Sequence, residues 1–174
     1  MTQHVHHCSR CGAQLPGAPP IRCLTCGYTL YVNARPCAGV VVVRDDGSFL
    51  AGRRAHEPSL GMWDLPGGFC DGWEHPAEAA VREAREEVGI EVTLGPLVGV
   101  YVGDYAHQGE TLPVLDLYYL ATLVSGDPTP DPAEMSEVAW FPLTDPPPLA
   151  FPNMDAVVRD AAALWHRKTG GEPG

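Results

Sequence analysis

The fold of this chain is decided by the stretch Gly68-Phe-Cys-Asp-Gly-Trp-Glu-His-Pro-Ala-Glu-Ala-Ala-Val-Arg-Glu-Ala-Arg-Glu-Glu-Val-Gly-Ile90. Proline suits the first position of a helix because its φ is fixed and it has no amide donor to lose there. Glycine suits the residue that follows a helix. The stretch therefore predicts a helix over Pro76–Val88 that ends at Gly89. Small apolar residues recur at helical spacing and predict its buried stripe: Ala77, Ala80, Val81, Ala84 and Val88.

Three carboxylates lie beside that stripe on one face of the predicted helix. Glu83 and Glu87 are four residues apart, and Glu86 lies three beyond Glu83. At close range such charges repel one another by roughly 1 to 4 kcal/mol per pair, and a bare helix does not offset this cost. Mg²⁺ or Mn²⁺ prefers carboxylate oxygen and would convert the repulsion into binding. The alternative interpretation is a solvated helix face that carries three glutamates.

The spacing of the glycines and charged residues resembles the Nudix box, the signature of the Nudix hydrolases, which cleave nucleoside diphosphates linked to another moiety. Ala84 and Ile90 fill its two small apolar slots, and seven polar or glycine positions match: Gly68, Glu74, Arg82, Glu83, Glu86, Glu87 and Gly89. The resemblance implies that Glu83, Glu86, Glu87 and the backbone carbonyl of Gly67 bind the metals. It also implies that Glu74 and Arg82 brace the loop against the helix, with Gly68 and Gly89 as structural support.

Two glutamates are candidates for the general base that takes a proton from the attacking water. Glu83 lies on the predicted helix. Glu134 lies in Glu134-Met-Ser-Glu-Val-Ala-Trp140, which resembles the loop that supplies an additional metal-binding or basic carboxylate in the family. Glu134 is the preferred candidate, and Glu137 is a third possibility.

The cysteines predict a second metal site near the N-terminus. Cys8 and Cys11 form one C-x-x-C knuckle, Cys23 and Cys26 form another, and each knuckle is followed by a glycine. Four thiolates at this spacing are typical of a tetrahedral structural Zn²⁺ site. The alternatives are reduced cysteines or a disulfide pair in a flexible tail.

The remaining sequence predicts strands around the box helix. Residues 38–44 and 48–54 flank an Asp-Gly turn and read as a β-hairpin, with four consecutive valines that suggest burial on both faces. Strands are expected at about 92–102 and 112–124, joined by a loop at 103–110, and a short strand at 138–141. Residues 125–137 read as an exposed loop, and Asn153 is expected to cap a last helix.

These elements predict an α/β (α+β) fold. The expected architecture is a Nudix-type α/β/α sandwich with a mixed sheet, preceded by a small zinc ribbon. The expected division is residues 1–36 for the zinc ribbon, 37–168 for the Nudix hydrolase domain and 169–174 for a disordered tail.

Charge and composition narrow the class of function. The formal net charge is -11, and residues 1–44 contain four arginines and no acidic residue, which leaves 7 basic and 22 acidic residues for the rest. Such an acidic body disfavours long nucleic acids but suits a site that collects divalent cations. The chain has no run of 18 apolar residues and its first seven residues are polar, so we expect a cytoplasmic protein without a membrane span.

Four residues outside the helix are candidate substrate contacts. Arg53 and Arg54 alternate faces at a strand end, so one of them is expected to reach a phosphate, against the alternative of a solvated charge. Phe69 is a base platform or part of the core. Tyr105 lies near the position of a tyrosine in diadenosine polyphosphate hydrolases and either stacks on a base or packs.

A zinc ribbon before a Nudix domain resembles the branch that includes NADH pyrophosphatase and ADP-ribose pyrophosphatase. The chain lacks the Ser-Gln-Pro-Trp-Pro-Phe-Pro-type segment of the NADH enzymes, since the corresponding region reads Leu97-Val-Gly-Val-Tyr-Val-Gly-Asp-Tyr-Ala-His107. The expected reaction is metal-dependent hydrolysis of the diphosphate in ADP-ribose or an NAD(H)-like dinucleotide, with release of a nucleoside monophosphate. The alternatives are a hydrolase that sanitises nucleoside triphosphates of the oxidised dGTP type, and a non-catalytic nucleotide sensor.

The partner expected from this class is a small nucleotide, with no membrane. The ribbon is expected to be structural or to form a homodimer, and holding a dinucleotide or a capped RNA end is its alternative role. With three arginines before residue 37 and no lysine there, it is a weak footprint for nucleic acid in general.

Overall fold

The computed structural model describes residues 5–170, which contain nine strands and two helices. In chain order they are β1 (Ile21–Arg22), β2 (Thr29–Leu30), β3 (Arg35–Val42), β4 (Ser48–Arg54), β5 (Trp63–Asp64), β6 (Gly67–Phe69), α1 (Pro76–Val88), β7 (Glu91–His107), β8 (Glu110–Ser125), β9 (Met135–Pro142) and α2 (Met154–Thr169).

The strands form three sheets. The largest is mixed and has the order β6-β3-β8-β7, in which β3 and β8 are parallel and the other pairs are antiparallel. The second sheet is antiparallel, with β4 between β5 and β9. The third is the small β1-β2 hairpin of the N-terminal segment.

The valines of β3 and the residue after it face two different cores. Val40 and Val42 pack with Ala80, Ala84 and other residues of α1, whereas Val41 and Val43 belong to the cluster that contains the buried residues of α2. Because side chains alternate along a strand, the sheets are covered by α1 on one side and α2 on the other. The prediction of a strand buried on both faces and of an α/β/α sandwich with a mixed sheet is therefore confirmed.

The predicted hairpin of residues 38–44 and 48–54 is wrong in its pairing. The two segments touch at an isolated bridge between Val43 and Phe49, and then β3 pairs with β6 and β8 while β4 pairs with β5 and β9. The Asp-Gly turn is local, but the partners of each strand come from distant parts of the chain. The turn therefore passes the chain from one sheet to the other.

β7 and β8 are longer than the sequence indicated. They pair from Glu91 with Ser125 to His107 with Glu110, so the expected loop at 103–110 is a tight turn at Gln108 and Gly109, both with positive φ. The extension matters because it places Tyr105 on β7, next to the strand that carries Asp116.

The helix boundaries agree with the sequence, but one cap does not. α1 has Pro76 at its start and Gly89 in the left-handed conformation (φ 67°) at its end, as predicted. Asn153 occupies the N-cap position of α2, yet its side chain makes no capping hydrogen bond. Its Nδ2 instead donates to Asp116 Oδ2 at 2.7 Å, so the expected side-chain cap is replaced by a tie to β8.

The N-terminal segment has a core of its own that is very small. Its buried residues are Cys8, Leu15, Ile21 and Cys23. In a segment this short, so few apolar side chains cannot offset the entropy of ordering the chain.

None of the helices within residues 5–170 is long and apolar enough to cross a membrane. The expected disordered tail falls mostly outside the described residues, which end at Gly170. Thr169, which the sequence assigned to the tail, is the last residue of α2.

Candidate active site and cysteine cluster

β6 and the loop that follows it bring the backbone against the carboxylates of α1. A Cβ atom added at Gly68 would lie 2.6 Å from Glu83 Oε1, a distance that real Cβ atoms do not show. A side chain at position 68 would therefore displace the Glu83 carboxylate.

Arg82 holds this loop and two of the helix carboxylates together. Its Nε and Nη2 each donate to one oxygen of Glu74 at 2.8 Å, and Nη2 also donates to the carbonyl of Phe69 at 3.2 Å. The ion pair lowers the pKa of Glu74 to about 2. Arg82 Nη1 donates to Glu83 at 2.8 Å and Glu86 at 2.9 Å. The bracing geometry that the resemblance implied for Glu74 and Arg82 is thus present.

Glu87 is the buried member of the acidic face. One of its oxygens accepts a hydrogen bond from the backbone N–H of Gly67 at 2.9 Å. Burial raises its pKa to about 9, and the nearby charge of Asp64 acts in the same direction. Burial also raises the pKa of Glu83, whereas the Glu86 side chain is 58% exposed. A cation placed beside Glu87 would supply the charge that its protein neighbours do not.

The three glutamates share one cavity but do not converge. Within the described chain, the four cysteines are the one group of acids, histidines or cysteines in which at least three ligand atoms lie within 4.8 Å of one another. Glu83 and Glu86 are turned toward Arg82, and Glu87 toward Gly67. All three carboxylates and Gly67 line a cavity of about 860 Å³, a size suited to a nucleotide.

Glu134 also lines this cavity, on a segment that is anchored rather than loose. The backbone N–H groups of Thr129 and Asp131 donate to the carbonyls of Val88 and Glu87 at the end of α1, at 3.0 and 2.8 Å. These bonds satisfy carbonyls that a helix terminus leaves free. The segment predicted as an exposed loop is therefore tied to α1. Glu137 faces away from the cavity and pairs with Arg53 at 3.0 Å.

His56 contacts Glu134 across the cavity wall, a pairing that sequence reasoning missed. Its Nε2 lies 2.7 Å from Glu134 Oε2, and its Nδ1 lies 2.9 Å from the carbonyl of Glu57. A carbonyl and an ionised carboxylate can only accept, so the two contacts together favour the doubly protonated ring. The carbonyl of Glu57 and the carboxylate of Glu134 raise the pKa of His56, in agreement with this protonation. The two residues are 78 positions apart, so no local signal points to the pair.

The two adjacent arginines at the end of β4 separate completely. Arg54 lines the cavity, and its Nη1 donates to buried Asp64 at 2.6 Å. Its Nη2 is buried and has no hydrogen-bond acceptor among residues 5–170. Arg53 lies outside the cavity over the ring of Trp63, 4.6 Å from its centroid. Arg54 is therefore the one of the two placed to meet a substrate.

Three aromatic rings also line the cavity. Phe69 and Tyr105 pack edge to face with centroids 5.4 Å apart, and Phe151 lies 6.1 Å from Tyr105. Asp116 and Asn153 line the same cavity. The sequence pointed to Phe69 and Tyr105, which the structure brings together, but not to the other three residues, whose positions depend on the pairing of β8 and the start of α2.

The cysteine cluster combines two nearly identical turns. Gly12 N–H donates to the carbonyl of Cys8 at 2.8 Å and Gly27 N–H to that of Cys23 at 2.9 Å, and both glycines have φ of 73°. Sγ–Sγ distances across the turns are 3.7 Å from Cys8 to Cys26 and 3.6 Å from Cys11 to Cys23. Tetrahedral Zn²⁺ with bonds of about 2.3 Å requires about 3.8 Å between sulfurs. The four thiols thus fit a zinc ribbon.

Comparison with protein families gives a match over the sandwich. The model described as the NUDIX domain matches residues 33–161. The chain belongs to the Nudix hydrolase family. The match covers every residue of the candidate active site and starts after the cysteine cluster.

Relatives of this Nudix hydrolase extend the similarity to the N-terminal segment. It is 30% identical over 172 residues to the NAD-capped RNA hydrolase NudC of Pseudomonas aeruginosa (strain LESB58), a match over 97% of this chain and 58% of the relative. It is 27% identical over 176 residues to the NAD-capped RNA hydrolase NudC of Stutzerimonas stutzeri, covering 99% of this chain and 60% of that one. The chain therefore spans about three-fifths of the length of these curated relatives.

A solved Nudix hydrolase from Nitrosomonas europaea has the same fold, with a TM-score of 0.75, 24% identity, and coverage of 98% of this chain and 96% of that one. A MutT Nudix hydrolase from Burkholderia pseudomallei is 32% identical over 74% of this Nudix chain and 98% of its own, with a TM-score of 0.65. The second match leaves out about a quarter of the chain.

Proposed function

We propose that this chain is a metal-dependent pyrophosphatase that hydrolyses the diphosphate of ADP-ribose or of an NAD(H)-like dinucleotide and releases a nucleoside monophosphate. The observation that carries the proposal is the cavity itself. The three carboxylates of α1 and three aromatic rings all line it, so a single cavity presents hard ligands for a phosphate-bound metal and flat surfaces for a ring. The similarity to NudC proteins supports the dinucleotide class.

The residues that we assign to Mg²⁺ or Mn²⁺ are Glu83, Glu86, Glu87 and the carbonyl of Gly67. Their donors are all oxygens, as these ions prefer, and the buried carboxylate of Glu87 lacks a cationic partner among residues 5–170. A bound divalent ion would neutralise the diphosphate and lower the pKa of a water. In this assignment Arg82 keeps Glu83 and Glu86 in place and competes for their oxygens until the metal arrives.

We assign proton removal from the attacking water to Glu134, with Glu83 as the alternative base. His56 holds one oxygen of Glu134 through a charged hydrogen bond, which leaves the other oxygen to accept. Because the segment that carries Glu134 is tied to α1, the base and the acids keep a fixed relation. Glu137, which pairs with Arg53 outside the cavity, serves as the comparison residue.

Arg54 is our candidate for the phosphate contact. Its Nη2 lacks an acceptor within the described part of the chain, and a phosphate oxygen would supply one. Phe69 and Tyr105 are the proposed walls for a ring of the substrate, since bases stack readily on aromatic side chains.

For the N-terminal segment we propose structural Zn²⁺ held by Cys8, Cys11, Cys23 and Cys26. We place its boundary with the Nudix domain at residues 36 and 37. A homodimer, a cytoplasmic location and a capped RNA end as an extended substrate remain part of the same hypothesis. Reduced thiols in the cluster fit a reducing compartment.

The similarity to a MutT Nudix hydrolase supports a second candidate, the hydrolysis of nucleoside triphosphates of the oxidised dGTP type. The two candidates differ in the bond that is cut and in the product. A dinucleotide enzyme releases AMP from ADP-ribose, whereas a triphosphate enzyme releases pyrophosphate from dNTPs.

The experiment that tests the proposal is a product assay with Mg²⁺ or Mn²⁺ over ADP-ribose, NADH, NAD-capped RNA, diadenosine polyphosphates, CoA and dNTPs. We expect AMP from ADP-ribose or NADH and little pyrophosphate from dNTPs, and the reverse result would favour the second candidate. Full turnover in Glu86→Gln and Glu87→Gln would refute the metal assignment. Loss of turnover in Glu134→Gln but not in Glu137→Gln would support the assignment of the base.

A further inference from the structure

The cavity holds a carboxylate that the proposed chemistry does not use. Asp116 lies on β8, half-buried, and lines the same cavity as the rings of Phe69, Tyr105 and Phe151. It is distant in sequence from the box, and within residues 5–170 no arginine or lysine forms an ion pair with it. Burial raises its pKa, and the amide of Asn153 acts against that rise.

Asn153 supplies the hydrogen-bond donor that the structure provides for this carboxylate. Its Nδ2 donates to Asp116 Oδ2 at 2.7 Å. A carboxylate has about four acceptor positions on its two oxygens, so one amide and the neighbouring thiol of Cys37 leave acceptor capacity over. A half-buried carboxylate with spare capacity favours a ligand that brings N–H donors.

Gly103 leaves the pair open to the cavity. A Cβ atom at this position would lie 3.0 Å from Asn153 Nδ2 and 3.2 Å from Asp116 Oδ2. With glycine there, β7 passes the pair without covering it. The three rings line the same cavity, so a planar group that packs against them lies in the space that Asp116 also lines.

We propose that Asp116, positioned by Asn153, accepts a hydrogen bond from the amino group of a planar ring that binds in the cavity. Rings that carry a hydrogen-bond acceptor or an anion at that position are disfavoured. This inference rests on the proposed function and names the specificity determinant of the same site. Two parts of an NAD-like substrate carry the required –NH₂ group: the 6-amino group of adenine and the carboxamide of nicotinamide. The competing interpretation is that the pair only ties β8 to the start of α2.

The test uses two matched pairs of substrates with the full-length protein. NAD⁺ against nicotinic acid adenine dinucleotide changes the carboxamide to a carboxylate, and ADP-ribose against its hypoxanthine analogue changes the 6-amino group to a carbonyl. For the wild type we expect kcat/KM to favour the amino-bearing member of one pair by roughly 10- to 100-fold, as for a hydrogen bond to a charged group. The pair that shows the preference identifies the ring.

The decisive variant is Asp116→Asn. It removes the charge and introduces a hydrogen-bond donor, yet the amide of Asn153 can rotate to keep a hydrogen bond with the side chain at position 116. We expect the preference in the informative pair to fall to within about threefold while the unfolding midpoint changes little. Asp104→Asn, which removes a charge from the exposed rim of the same cavity, is the control and should retain the wild-type preference.

Two results would overturn the proposal: a wild type with no preference in either pair, or a preference that survives Asp116→Asn. A loss of unfolding midpoint with unchanged preference would show that the pair is only a structural tie. Equilibrium binding of the four compounds by calorimetry, without added divalent ions, gives the same ratios independently of turnover. A binding preference without hydrolysis of any compound would refute the proposed function and leave this inference standing.

Discussion

The cysteine cluster and the acidic face of α1 are the two proposed metal sites, and their ligand atoms are arranged in opposite ways. In the N-terminal segment the four sulfurs already lie within 4.8 Å of one another. In the cavity the acids are held by protein groups, Glu83 and Glu86 by Arg82 and Glu87 by the backbone of Gly67. The difference follows from the size of the cores. A segment with four buried residues needs a cross-link to fold, whereas a sandwich with two large clusters keeps its shape without one.

The largest effect that we predict concerns the cysteine cluster. Removal of the proposed Zn²⁺ by a chelator, or Cys23→Ser, should unfold the N-terminal segment, since structural zinc contributes about 10–16 kcal/mol of apparent binding free energy to small sites. Backbone hydrogen exchange would report loss of protection before residue 35 and unchanged protection in β3 and α1. Cys70→Ser, which removes a cysteine outside the cluster, is the control. Retained protection in the segment, or its loss throughout the sandwich, would contradict the comparison.

The second prediction concerns how the cavity keeps its shape without metal. Arg54→Ala leaves Asp64 buried without its ion-pair partner, so the free energy of unfolding should fall by about 3–5 kcal/mol. Arg53→Ala removes a half-exposed pair with Glu137 and should cost less than about 1 kcal/mol. Urea unfolding measures both values. Equal losses in the two variants would mean that the buried pair is not part of what shapes the cavity.

The same two arginines show why the sequence predicts some parts of the site and not others. The bounds of α1 were predictable because their signals are local, with Pro76 at the start and Gly89 after the end. Its buried stripe was predicted in part: Ala80, Ala84 and Val88 are buried, whereas Ala77 and Val81 are half-buried and Ala79 is buried instead. Whether Arg53 or Arg54 faces the cavity depends on how β4 is oriented in its sheet between β5 and β9, and β9 lies more than eighty residues later in the chain. The positions of Glu83, Glu86 and Glu87 also follow from local signals, because all three lie on α1.

Contacts between distant segments account for the errors. The Asp-Gly turn suggested a hairpin, but β4 is paired by β9, more than eighty residues later. Asn153 has the right residue type for a cap, but Asp116 on β8 takes its amide. No local pattern encodes the pairing of His56 with Glu134 either. The three glutamates of α1 could thus be predicted from the sequence. The contact of His56 with Glu134 and the contact of Asn153 with Asp116 could not.

The third prediction separates the activity of the acidic face from its stability. Glu87→Gln should lower kcat by a factor on the order of 10² to 10³ in Mg²⁺, as for loss of one electrostatic contact to the transition state. Without divalent ions the variant should be more stable than the wild type at pH 8. The unfolded chain releases the Glu87 proton near pH 4.5, whereas burial keeps it on the folded chain up to about pH 9.

The free energy of unfolding of the wild type therefore decreases as the pH rises from about 4.5 to about 9. The higher stability of Glu87→Gln should vanish below about pH 4.5. Chemical unfolding with a chelator at pH 8 and at pH 4 measures it. Glu110→Gln, a change at an exposed position at the start of β8, is the control. If Glu87→Gln were less stable than the wild type at pH 8, the protein itself would be stabilising the ionised form of the Glu87 carboxylate.

The smallest effect concerns His56, which acts on the site through Glu134. His56→Ala should lower kcat roughly two- to tenfold with KM unchanged, since one exposed hydrogen bond contributes about 0.5–1.5 kcal/mol. His56→Gln places an amide donor near the position of Nε2 and should recover most of the loss, which a purely structural role of the ring would not predict. In a Glu134→Gln background His56→Ala should have little further effect, because the double-mutant cycle removes the shared contact. A full additional loss in that background would mean that His56 does not act through Glu134, and the cavity would then orient its base by the backbone tie to α1 alone.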